Sequence, residues 1–101
     1  LWNKVYTELF DVRALVMSPD GSTLIAAGGY SAVNTPLDMG TFAFEAATGA
    51  KVWARHVDGP GSGEDFAFSA ATSPSGADVF VTGRSAGTTT GRDYLTVAYA
   101  I

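Results

Sequence analysis

A turn signal occurs twice in this chain, and the two copies lie 55 residues apart. Ser18-Pro19-Asp20-Gly21 returns as Ser73-Pro74-Ser75-Gly76. Proline presets φ for the second position of a type I turn, aspartate or serine suits the third, and glycine takes the left-handed residue that follows. The same offset carries Gly28 onto Gly83, Asp38 onto Asp93, Thr41 onto Thr96 and Ala43 onto Ala98. It also pairs Leu24 with Val79, Ile25 with Phe80, Phe42 with Val97 and Phe44 with Tyr99. Echoes that fall on turns and on apolar positions alike mark an internal repeat, equating residues 12–46 with 67–101. A repeat of this length directs attention to solenoids, arrays and propellers.

Short runs between small polar clusters read as strands. Asp58-Gly59-Pro60-Gly61-Ser62-Gly63 is one such cluster and residues 86–91 are another, in a chain with 12 glycines and 4 prolines. The expected strands are Trp2–Thr7, Val12–Met17, Ser22–Gly28, Gly40–Ala46, Ala50–Val57, Phe66–Thr72, Ala77–Gly83 and Tyr94–Ile101. Ala46, Ala47 and Ala50 favour helix, but Gly49 and the flanking Phe42, Phe44, Val52, Trp53 and Val57 favour sheet. The segment therefore reads as strand, turn at Ala46–Gly49, strand.

Eight strands make two units of four. Their phase is offset, because Trp2 matches Trp53 in character and so belongs to the last strand of a unit. Residues 1–7 are then the outer strand of a preceding or neighbouring unit. The expected fold is all-β: four-stranded antiparallel blades of a β-propeller, about two of them, in permuted phase. Two blades close no ring, so other blades are expected as partners, in a longer parent chain or through homo-oligomerisation.

Residues 43–53, Ala-Phe-Glu-Ala-Ala-Thr-Gly-Ala-Lys-Val-Trp, resemble the tryptophan-docking repeat of quinoprotein-like propellers, with Glu45 where that pattern has aspartate. The segments Ser18 to Gly28 and Ser73 to Gly83 resemble the hairpin of bacterial YVTN-type repeat propellers. The resemblance implies that Trp53 packs between adjacent blades, with Trp2 its equivalent, and that relatives are often extracytoplasmic or secreted. The quinoprotein-like enzymes hold pyrroloquinoline quinone with calcium. The resemblance here falls on blade-forming residues and not on those ligands, so no cofactor is expected.

The rest of the sequence narrows the chemistry. A net charge of −4 offers no basic stripe for nucleic acid or an anionic membrane, and no apolar run approaches the roughly 20 residues of a membrane helix. Without cysteine there is no disulfide, thiolate metal site or cysteine nucleophile. Asp58, Glu64 and Asp65 are candidate calcium ligands, although the plainer reading of that stretch is a solvated loop. Asp38 and Asp93, just before the third strands, read as turn caps. His56 lacks companions at metal-ligand spacing, and neither Ser18 nor Ser73 stands in a nucleophile elbow. Gly87 to Arg92 lacks the lysine and following helix of a phosphate loop.

The residues singled out for structural roles are therefore Trp2, Trp53, Gly49, Pro19, Gly21, Pro74, Gly76, Asp38 and Asp93. The functional expectation is a non-catalytic scaffold or binding surface for a small ligand, glycan or protein at a rim, with no enzymatic activity in the isolated chain. Its alternatives are a fragment of a quinone-dependent dehydrogenase and a self-assembling lectin-like propeller.

Overall fold

The computed structural model describes residues 2–5, 9–30, 38–57, 65–86 and 92–101. They form seven strands: β1 Leu9–Met17, β2 Thr23–Tyr30, β3 Asp38–Glu45, β4 Lys51–Val57, β5 Phe66–Thr72, β6 Asp78–Ala86 and β7 Arg92–Ala100. All neighbouring strands are antiparallel. Two meanders result, one ordered β1-β2-β3-β4 and the other β5-β6-β7.

Turn chemistry explains where the strands reverse. At the β1–β2 turn the Ser18 amide donates to the Thr23 carbonyl at 2.8 Å and the Gly21 amide to the Ser18 carbonyl at 2.9 Å. At the β5–β6 turn the Ser73 amide donates to the Asp78 carbonyl and the Gly76 amide to the Ser73 carbonyl, both at 2.9 Å. Gly21 and Gly76 share a φ of 77°, a conformation that strains any residue with a Cβ. Residues 46–48 form a turn rather than a helix, closed by the Gly49 amide donating to the Glu45 carbonyl at 2.8 Å.

Each sheet also carries a bulge that binds it to a glycine. The register slips between Val12 and Ala14 in β1 and between Ala67 and Ser69 in β5, leaving Arg13 and Phe68 as the extra residues. Opposite these bulges stand Gly28, paired with Val12, and Gly83, paired with Ala67. A Cβ built on Gly28 would fall on the Asp11 carbonyl oxygen, and one built on Gly83 on the Phe66 carbonyl oxygen. The bulged strand presses its backbone into the space a side chain would need.

The core lies between the two sheets. Alternation turns Ile25, Ala27, Met39 and Ala43 of the first sheet toward Ala67, Val79 and Val81 of the second, all of them fully buried. Ala14, Val16, Trp53, Leu95, Val97 and Tyr99 pack around this centre. β5 lies against β1 and β2 and reaches β3, which β6 also touches. Alanine at positions 27, 43 and 67 lets the backbones approach there. Burying each of Ile25, Met39, Val79 and Val81 is worth about 1.5–3 kcal/mol, so mutual coverage of the two inner faces is a principal source of stability.

This arrangement corrects the expected fold. The all-β composition holds, but the two sheets are open layers packed as a sandwich over one core, neither curled into propeller blades nor closed into a ring. The resemblance to quinoprotein-like and YVTN-type propellers fails with it. The residues that carried it form tight hairpins, and hairpin chemistry is local: it fixes where adjacent strands reverse without dictating how sheets are arranged. Two meanders that each bury an apolar inner face satisfy one another as a two-layer domain. Residues 2–5, expected within a strand, belong to none, and Thr7 lies outside the described residues.

Candidate functional site

Trp2 shows how the segment before β1 is used. Its indole Nε1 donates to the Ala46 carbonyl at 2.8 Å. Its six-membered ring covers Gly49, where φ is 78° and where an added Cβ would stand 2.5 Å from Trp2 Cε3. The turn between β3 and β4 is thus a seat for the tryptophan. Lys4 follows it, with Cγ 2.9 Å from that same Cβ position.

Beside this seat the outer face of the first sheet opens into a groove of about 210 Å³ lined by Trp2, Lys4, Leu15, Leu24 and Phe44. Register explains the lining. Leu24 pairs with Phe44 across β2 and β3, and Leu15 of β1 pairs with Ala26, so all three side chains stand on the face turned away from the core. Leu15 is 64% exposed and Met17 50%. Farther along this face Phe42 is buried beneath Tyr30, with ring centroids 6.3 Å apart, and beneath the Lys51 ammonium at 5.5 Å. The face therefore offers an apolar groove with Lys4 in its lining and a second lysine, Lys51, over Phe42 beside it, an arrangement suited to binding.

The first hairpin turn has the most developed electrostatics. Asp20 Oδ1 accepts hydrogen bonds from the Ser18 hydroxyl at 2.7 Å, the Ser22 amide at 2.9 Å and the Ser22 hydroxyl at 2.7 Å. These donors, the Ser22 amide foremost, lower its carboxyl from 3.8 to about 2. In the second turn Ser75 takes this place, contacting the Ser73 hydroxyl and accepting from the Ala77 amide, each at 3.3 Å. A depressed carboxyl stabilises the fold fully above its unfolded value of 3.8, and that contribution disappears as pH falls through about 2. Thermal melts should accordingly show the stability difference between the parent and Asp20→Ala shrinking over that acid range. Ser75→Asp, which supplies the missing carboxylate, should raise the melting temperature by a few degrees at neutral pH and lose the gain in acid.

The remaining sequence candidates are dispersed. Pro19 and Pro74 sit in the two turns, exposed. Asp38 opens β3 opposite Tyr30, and Asp93 lies within β7 opposite Ser85. Asp58 and Glu64 fall outside the described residues, whereas Asp65 is fully buried immediately before β5. Among the described residues no three His, Cys, Asp or Glu side chains gather as a metal site. His56 stacks on Tyr30 with ring centroids 4.7 Å apart. The Ser18 and Ser73 hydroxyls accept from the Thr23 amide at 3.0 Å and the Asp78 amide at 3.1 Å, so both are turn-closing groups.

Trp53 stands where the sheets meet on the side of β4 and β7. Its ring lies 5.7 Å from that of Tyr99 and beneath the Arg55 guanidinium at 5.4 Å. Trp53 Nε1, Thr41 Oγ1 and the Tyr99 hydroxyl are buried there without a well-formed hydrogen bond. Burial pushes the Tyr99 phenol up, and the Thr41 hydroxyl and Arg55 charge hold back part of the rise.

Comparison with family models, curated proteins and solved structures returned no match to the chain. The groove itself escaped the sequence reading, which placed Trp2 in a strand. The available signal was Gly49, whose missing side chain makes room for an aromatic ring.

Proposed function

We propose that the chain is a non-catalytic binding or scaffold domain that uses the outer face of its four-stranded sheet as the contact surface. The observation that carries this reading is the exposure of Leu15 and Met17 on the edge strand β1, with Leu15 lining the apolar groove beside Trp2. Contiguous apolar surface rimmed by polar groups is the usual mark of a contact site. The sandwich beneath it supports the face with a packed core, so binding would require no folding of the site itself.

Phenol, a small flat probe that fits the groove, supplies the test. In ¹H–¹⁵N spectra its titration should give saturable shifts at Leu15, Leu24, Phe44 and the Trp2 indole. The variant Leu15→Glu with Met17→Glu, altered only at exposed positions, should keep its melting temperature and lose those shifts. Shifts scattered over the domain, or unchanged in the double variant, would overturn the reading.

A further inference from the structure

A second surface, at the bulged end of β1 and β5, carries chemistry of a different kind. Phe66 and Phe68 stack with ring centroids 6.5 Å apart and planes inclined by 20°. Two guanidinium groups share this pair: Arg13 Cζ lies 5.9 and 5.6 Å from the two centroids, and Arg84 Cζ lies 5.3 and 5.8 Å from them. The bulges create the meeting, since Arg13 and Phe68 are the residues each bulge leaves unpaired, while Arg84 faces Phe66 across the β5–β6 ladder.

Two like charges held on one aromatic pair repel one another. Asp11 relieves only one of them, bonding Arg13 at 2.8 Å. Arg84 is half-buried, and among the described residues its partners are rings and no carboxylate. A guanidinium lying on a ring keeps its in-plane N–H donors available, in the fork geometry that fits carboxylate and phosphate oxygens. The chain as a whole carries −4, so this cluster is a local exception to its charge. Phe68 is 42% exposed, which leaves aromatic surface beside the two cations.

We propose that Arg13 and Arg84 form a receptor for an oxyanion, a carboxylate or phosphate, attached to an aromatic ring that lies on Phe68. The guanidinium forks bind the oxyanion and the phenyl surface takes the flat apolar part. None of Arg13, Phe66, Phe68 and Arg84 lines the groove, so the site stands whether or not the groove binds anything.

The experiment is a ¹H–¹⁵N titration of the intact chain at low ionic strength with phenyl phosphate, benzoate and inorganic phosphate in separate arms. At least one aromatic oxyanion should give saturable shifts centred on Arg13, Phe66, Phe68 and Arg84, with inorganic phosphate several-fold weaker. Which of the two aromatic ligands binds more tightly separates phosphate from carboxylate recognition. Arg84→Gln and, independently, Arg13→Gln should each weaken the binding about tenfold while preserving the dispersion of the spectrum. Added salt should weaken it further. Absence of saturation by either aromatic oxyanion up to about 50 mM, equal binding of inorganic phosphate, or unchanged affinity in both folded variants would overturn the proposal.

Discussion

Gly83→Ala is expected to destabilise the domain by about 3 kcal/mol or more, and Gly28→Ala by a similar amount. Glycine to alanine in a strand is ordinarily neutral or favourable, because alanine restricts the unfolded chain by about 0.4–1 kcal/mol and suits extended backbone better. Steric overlap reverses the sign here. The methyl group would occupy the position of the Phe66 carbonyl oxygen in one sheet and of the Asp11 carbonyl oxygen in the other. Those atoms are backbone, held by the ladder on either side of the bulge, so no rotamer change clears the overlap. Small domains hold only about 5–15 kcal/mol of net stability, which makes this a large fraction. Urea denaturation would show it as a lowered midpoint; an unchanged or raised midpoint would mean that the bulge can move aside.

Trp53→Ala should cost about 3 kcal/mol, whereas Trp53→Phe should stay within about 1 kcal/mol of the parent. The asymmetry follows from what the indole does. Its ring fills the space between β4 and Tyr99 and lies under Arg55, so truncation to alanine opens a void between the sheets. Its N–H contributes nothing comparable, being buried without a well-formed hydrogen bond. Phenylalanine keeps most of the packing and removes an unpaired donor, whose burial costs about 1–3 kcal/mol. Matched denaturation curves for the two variants check this. Equal losses would show that the N–H has a partner after all, and a negligible loss in Trp53→Ala would show that the sheets do not depend on this contact.

Local structure was legible in the sequence where turn chemistry governs it. Phe66–Thr72 is the same strand by either route, and Gly49 closes a turn between Glu45 and Ala50 because a left-handed residue is needed there. The arrangement of sheets was not legible. Strand alternation says which face of Ile25 or Val79 is buried without saying what buries it, and a meander carries the same alternation in any two-layer or radial architecture. Trp2 misled for a related reason. Its likeness to Trp53 is one of residue type, but Trp53 sits in a ladder opposite Ala43 while Trp2 donates its indole N–H to the Ala46 carbonyl and lies over Gly49. The Arg13–Phe68 meeting was hidden by the bulges, which shift the two-residue period by one and change the face on which each following side chain emerges.

Native-state hydrogen exchange of the Gly83→Ala variant tests directly whether the two sheets share one core. With Ile25, Ala27, Met39 and Ala43 in one buried cluster with Ala67, Val79 and Val81, and with β5 lying against β2 and β3, damage at the second sheet should lower amide protection in β2 and β3 as much as in β6. Loss confined to β5, β6 and β7, with β2 and β3 protected as in the parent, would mean that each sheet keeps its own stability and that no shared core joins them.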